Sequence, residues 1–265
     1  MSIDGQVESK LKQLRLTGML ETLEVRLKQA EGSTSGYLDF LLTLLEDEYE
    51  KRQSRGLLTR LKKAGFEEEK TLEGFDFSFN PQIPVKRIKQ LANCAYIDKR
   101  ENIFLLGPVG VGKTHVAQAL GHIACRMGYE VFFTKAAKMF RYLHGGRADN
   151  SFEKRIKRYA SAQLLIIDDF GLKPLTPTQS DDFYEVIGER YLKKSTVFTG
   201  NRVLEDWHSL FSDPIIANST MDRIAHNAHQ ITMPGESYRN KEGVLKVANK
   251  KGGRRISSDT GDEEE

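Results

Sequence analysis

The chain has 265 residues, 39% of them hydrophobic and 29% charged, with a formal net charge of +3. No apolar stretch approaches the roughly 20 residues a membrane-spanning helix requires, and the two cysteines, Cys94 and Cys125, are too few for a disulfide framework. The start, Met1-Ser2-Ile3-Asp4-Gly5, lacks the basic and then apolar pattern of a secretion signal. A membrane span and a disulfide scaffold are thereby disfavoured, and a cytoplasmic chain with one substantial core and buried thiols in helical segments is expected.

From Leu11 to Phe66 the pattern is helical. Leu16, Met19, Leu20, Leu23 and Leu27 recur at three- and four-residue steps, as do Leu38, Leu41, Leu42 and Leu45 after the turn-like Gly32–Gly36 stretch, and Leu57, Leu58, Leu61 and Ala64 suggest a third piece. A small all-helical domain over residues 1–70 is predicted, its apolar stripes forming its own core or in part a partner surface. A boundary falls near Gly74–Pro81, where aromatics and proline interrupt the helical spacing. Beyond it strands and helices alternate: strands at 102–106, 130–134, 163–168, 195–199 and 229–233, helices at 113–127, 135–143, 178–193 and 214–225. Such alternation means a parallel sheet covered by helices, so residues 71–240 read as an α/β domain.

The first strand of that domain leads into Gly107-Pro108-Val109-Gly110-Val111-Gly112-Lys113-Thr114, which fits G-x-x-x-x-G-K-[ST]. A chance match is expected in about one or two chains in a hundred of this length, and the strand before and the helix opening at His115 make chance a weaker explanation still. Glycines let backbone N–H groups turn inward around a β-phosphate, and the helix N-terminus adds its positive dipole end. In that arrangement Lys113 reaches the β- and γ-phosphates of ATP and the Thr114 hydroxyl ligates Mg²⁺. Gly107 to His115 are the candidate nucleotide-binding residues.

Leu164-Leu165-Ile166-Ile167-Asp168-Asp169 is a strand apolar on both faces that ends in paired carboxylates. Alone it reads as an acidic turn after a core strand. About fifty residues after a phosphate loop, Asp168 becomes the candidate magnesium ligand and Asp169 the acid that polarises the attacking water. Ser195–Thr199 is another buried strand, and Asn201 follows it. Ligands of open α/β sheets bind at the carboxyl ends of strands, which brings Asn201 to the same place to hydrogen-bond water or γ-phosphate.

Two basic stretches are candidate phosphate contacts to nucleic acid. Lys154, Arg155, Lys157 and Arg158 follow a polar 145–150 loop, and Lys250, Lys251, Arg254 and Arg255 belong to a tail, residues 241–265, whose six basic residues precede an acidic tip. A solvated face is the alternative for either cluster, and the tail composition reads as disordered.

With these features in hand the chain resembles the AAA+ ATPases and, within them, the IstB-type transposition helper proteins, relatives of bacterial helicase loaders. Leu105–His115, Ile167-Asp168-Asp169-Phe170-Gly171, Met221-Asp222-Arg223-Ile224 and Gly235-Glu236-Ser237-Tyr238-Arg239 carry the resemblance. It implies ATP binding, assembly of copies of the chain on duplex DNA, and delivery of a target site to a partner transposase. It also implies that Arg223 reaches into a neighbouring subunit's ATP site, where its guanidinium neutralises γ-phosphate charge during hydrolysis. Two positions depart from the pattern: Gly200 stands where relatives commonly have Ser, and Asp169 where many have Glu, and the shorter acid implies slow hydrolysis. Against that pattern the usual helical lid is expected to be missing, with Arg239 the expected substitute phosphate contact. The rivals are a replicative helicase loader, which would devote residues 1–70 to a helicase, and a scaffold whose ATP site stabilises an oligomer without meaningful turnover.

Overall fold

A computed structural model describes residues 3–32 and 36–239. Three helices come first: α1 (Ile3–Gln13), α2 (Thr17–Glu31) and α3 (Tyr37–Ala64). Two short helices, α4 (Val85–Leu91) and α5 (Ala95–Asp98), lead into the alternating part. There β1 (Asn102–Leu106), α6 (Lys113–Arg126), β2 (Val131–Lys135), α7 (Ala136–Ala148), α8 (Phe152–Ser161) and β3 (Leu164–Phe170) follow one another. The chain continues with α9 (Pro177–Arg190), β4 (Ser195–Gly200), a 3₁₀ turn at Leu204–Leu210, α10 (Pro214–Ala225) and β5 (Ala228–Thr232).

All five strands are parallel, in the order β2-β3-β4-β1-β5. The carboxyl ends of β3, β4 and β1 are therefore neighbours, which gathers the phosphate loop, the paired acids and Asn201 at one edge. Side chains alternate across each strand. On β1, Ile103 and Leu105 join Val116, Leu120 and Ile166 in one apolar layer, whereas Phe104 and Leu106 join Phe183, Phe198 and Trp207 in the other. Burial on both faces is what made these strands near-continuous apolar runs.

The N-terminal region departs from expectation in one respect. The two pieces expected around Leu38–Leu45 and Leu57–Ala64 are a single helix of 28 residues. Its middle is polar on every side because that stretch bridges two contacts rather than lying on a core. Near one end Leu44 packs with Leu11 and Met19, and at the other Ala64, with Leu57 and Leu61, joins the layer over the sheet. Leu38, Leu41, Leu42 and Leu45, expected in a core, are exposed.

Three further corrections concern local pattern. The polar 145–150 stretch is helical as far as Ala148, since Gly145 and Gly146 leave room for the Arg155 side chain, which a Cβ on either would meet at 2.7 Å. The basic residues after it lie on α8, an element the pattern did not resolve. Cys94, expected within a helix, is in the turn between α4 and α5 at φ 58°, buried like Cys125. Burial raises both thiols to about 11.

Where α2 meets α3, a Cβ on Gly18 would lie 2.6 Å from the Cα of Glu48, and the buried Glu48 carboxylate accepts hydrogen bonds from the N–H groups of Gly18 and Met19 at 2.5 and 3.3 Å. Backbone cannot move aside as a side-chain tip can. Gly18→Ala is expected to cost about 2 kcal/mol of stability, read by denaturant unfolding, with faster amide exchange in α1 and α2 and unchanged nucleotide binding. Exchange unaltered in those helices would contradict this packing.

Candidate nucleotide site

A cleft of about 910 Å³ opens at the carboxyl ends of the strands, lined by Gly110–His115, Asp168, Asp169, Asn201 and Arg239 among others. Gly110 and Gly112 sit at φ 85° and 96°, a region L side chains rarely adopt. A Cβ on Gly110 would lie 2.0 Å from Ser237 Oγ, and one on Gly112 2.3 Å from the Phe75 ring. The glycines thus shape the loop and also admit the two segments that pack on it. Lys113 Nζ folds into the loop and donates to the Gly107 and Pro108 carbonyls at 2.8 and 2.6 Å. Burial pulls its ammonium below the ordinary range, with Asp169 and Asp168 opposing that shift and Arg239 adding to it.

Asp168 is fully buried. Its Oδ1 accepts from Thr114 Oγ1 at 2.8 Å and from Thr199 Oγ1 at 2.6 Å, while Oδ2, also buried, has no hydrogen-bond partner among the described residues. Desolvation raises the carboxyl above its ordinary value, and the two hydroxyls oppose that shift. An orphaned carboxylate oxygen beside a threonine hydroxyl is a hard-oxygen pair, the donor set that suits a magnesium ion sharing its remaining positions with phosphate and water. The residues present fit such an ion.

Asp169 points the other way. The β3–β4 register slips between Ile167 and Phe170, and Asp169 takes φ 55°, so consecutive acids face different surroundings. The Asp169 N–H donates to Thr199 Oγ1 at 2.9 Å, which makes the threonine the link between both acids. Asn201, exposed at the exit of β4, shares the cleft. Gly200 before it is close-packed: a Cβ there would meet the Phe170 carbonyl and the Trp207 ring at 3.2 Å.

The cleft is covered by segments that carried no motif. His115 Nε2 pairs with the Thr71 carbonyl at 2.7 Å and its ring meets Phe75 edge-on, so the histidine ties α6 to the 71–80 segment. The Asn80 side chain clasps the backbone of Glu236 through both polar atoms, at 3.0 and 3.1 Å, and Phe79 packs against Tyr238. Tyr238 N–H donates to the Gly110 carbonyl at 3.0 Å. These contacts bring Arg239 to the loop. Thr199 and Asn80 shape the cleft and were missed by sequence reasoning, because each acts through a contact with a segment distant in the chain.

Arg223 is not at its own chain's cleft. Its guanidinium donates to Tyr184 Oη at 3.0 Å and lies over that ring at 4.6 Å, on the half-exposed surface of α9 and α10. Of the α8 basic residues, Lys154, Lys157 and Arg158 are exposed, whereas Arg155 turns inward to Ser151, Asp149 and the Tyr142 carbonyl and is withdrawn from solvent. Lys250, Lys251, Arg254 and Arg255 lie outside the described residues. No helix among the described residues is long and apolar enough to cross a membrane.

A parallel sheet of this order with a phosphate loop after β1 and an acid at the end of β3 defines a P-loop nucleotide-binding protein of the AAA+ type. DnaI aligns at a TM-score of 0.55 over 62% of this chain and 91% of its own at 19% identity. DnaA bound to AMPPCP and single-stranded DNA aligns at 0.55 over 70% and 57% at 22% identity. At the level of sequence, residues 9–245 match the family described as IstB-like ATP binding protein. Relatives include an insertion-sequence ATP-binding protein of Mycobacterium tuberculosis, 44% identical over 90% of this chain and 96% of its own length. Another is the ATP-binding protein of insertion sequence IS21 from Pseudomonas aeruginosa, 35% identical over 89% of each chain. The chain belongs to the IstB-like ATP binding protein family.

Removing the buried charge tests the geometry without any ligand. Asp168→Asn keeps an acceptor for Thr114 and Thr199 and deletes the desolvated anion, so stability at neutral pH should rise by about 1 kcal/mol. Thermal unfolding of the chain alone measures it; a fall of similar size would mean that Asp168 is held by contacts other than these.

Proposed function

We propose that the protein is a magnesium-dependent ATPase whose copies assemble on duplex DNA and prepare an insertion target for a partner transposase. The observation that carries this reading is the Thr114–Asp168–Thr199 cluster set against Lys113 and Asp169 in one cleft. Lys113 and the loop N–H groups bind the triphosphate. A magnesium ion held by Thr114 and Asp168 would neutralise charge on the β- and γ-phosphates. Asp169, aimed into the cleft by the bulge, accepts a proton from the attacking water, and Asn201 orients that water. As a shorter acid than Glu, Asp169 supports slow turnover.

The position of Arg223 supports assembly. An arginine half-exposed on a surface remote from its own nucleotide, held ready by Tyr184, serves the site of an adjoining copy, where it would stabilise the transferring phosphoryl group. Hydrolysis then requires assembly, and ATP acts as the assembly switch. Relatives named for insertion sequences at 44% and 35% identity favour a transposition role over helicase loading, for which the likeness, to the DnaC helicase loader at 20% identity, is one of fold.

Arg223→Ala should leave ATP affinity within about two-fold and lower DNA-stimulated turnover by roughly 10³-fold, while Asp169→Asn should lower it by about 10²-fold. Steady-state phosphate release with duplex DNA present checks both. Duplex affinity that is the same with and without a non-hydrolysable ATP analogue would sink the switch, and an undiminished rate in Asp169→Asn would leave the scaffold reading in its place.

A further inference from the structure

A second cleft, of about 700 Å³, lies between α3 and the sheet domain. Its walls carry Arg52, Arg55, Arg60 and Lys63 from α3 and Arg158 from α8, against one acid, Glu130. Glu130 and Val131 enter β2, and Ser161 and Ala162 precede β3, so the groove is at the amino ends of the strands, opposite the nucleotide cleft.

Several features show a surface arranged for an anion. On α3 the positions 52, 55, 59 and 63 advance by three, four and four residues, which places Arg52, Arg55, Thr59 and Lys63 along one helical face. That face is about 16 Å long at 1.5 Å per residue, matching roughly five phosphates of one duplex strand at about 3.4 Å each. Arg55 and Lys63 are exposed and form no ion pair among the described residues, whereas Arg52 is partly spent on Glu48. Arg60 is pinned through Nε to the Cys125 carbonyl at 2.9 Å, and Gly56 leaves its guanidinium room, since a Cβ there would meet Nη1 at 3.2 Å. Arg158 stacks over the Phe132 and Tyr142 rings at 4.9 and 5.2 Å. Guanidinium groups held this way lose little freedom when an anion arrives.

We propose that this groove holds the phosphodiester backbone of duplex DNA, with Arg55 and Lys63 from α3 and Arg158 from α8 on its two walls. The assignment rests on the DNA-binding reading above. Contacts made to phosphates rather than to base edges bind without regard to sequence. It also makes α3 the element that joins DNA to the ATPase layer, because Ala64 of the same helix packs over the sheet.

The test is fluorescence anisotropy with a labelled duplex of arbitrary sequence, titrated with the full chain and a non-hydrolysable ATP analogue across a range of salt. Replacing both Arg55→Ala and Lys63→Ala should weaken binding by about ten-fold or more and reduce the slope of log affinity against log salt by about 2. Arg55→Lys with Lys63→Arg should keep the affinity and slope of the parent, and nucleotide affinity should be unchanged in both as a check on folding. Parent-like affinity and slope in the alanine pair would overturn the groove while leaving DNA binding intact. So would a loss that falls on single-stranded RNA and spares the duplex. If the parent chain itself fails to bind duplex at low salt, the functional reading falls and the groove with it.

Discussion

The nucleotide end of this molecule depends on one buried carboxylate. Asp168 is taken out of water at the end of β3, which disfavours its charge, and it is held there by two threonine hydroxyls that both use the same oxygen. The other oxygen is left over. A buried acceptor without a partner costs free energy comparable to a lost hydrogen bond, and folding alone does nothing to recover it. The local structure is therefore less stable than an apolar substitute would make it, a cost that a cation bound to the free oxygen would offset. Thr199 extends the constraint to the next residue, because the same oxygen that donates to Asp168 accepts from the Asp169 backbone and fixes where the second acid turns.

Around that point the chain is assembled from parts distant in sequence. The loop after β1, the bulge in β3 and the exit of β4 meet because parallel strands present their carboxyl ends together. The 71–80 segment and the 235–239 segment then close over the loop and bind each other through Asn80 and Glu236. Together they place Arg239 on the wall of the cleft. At the far end of the sheet α3 leaves the α1–α2 pair and lays its last turns on the core, so the N-terminal helices and the sheet domain share one helix. Arg223 belongs to neither end, resting on Tyr184 at the side.

What could be read from the residues follows from where the physics is local. Strands buried on both faces must be apolar throughout, which is why β1, β3 and β4 stood out in the sequence. The AAA+ sheet and the membership of the IstB-like family, read from the phosphate loop and the Asp-Asp-Phe-Gly run, agree with the fold and the relatives found. The rest was hidden for definite reasons. The polar centre of α3 has no apolar stripe because it faces solvent on both sides of a bridge, so one helix looked like two. The helical stretch through Gly145 and Gly146 is supported by Arg155 packing against it, a contact between residues ten apart that no propensity records. Thr199 acts through a neighbour on the adjacent strand, and Asn80 through a segment 156 residues away; neither relation leaves a mark in local pattern.

The central claim is that the unpaired oxygen of Asp168 and the Thr114 hydroxyl together make the magnesium subsite of the ATP cleft. Calorimetric titration of ATP into the chain, with Mg²⁺ and then with a chelator, compared between the parent and Asp168→Asn, addresses it most directly. The parent should lose about ten-fold or more in affinity when the metal is withdrawn, and Asp168→Asn should bind equally in both conditions at the weaker level. The same metal dependence in both proteins would contradict the claim.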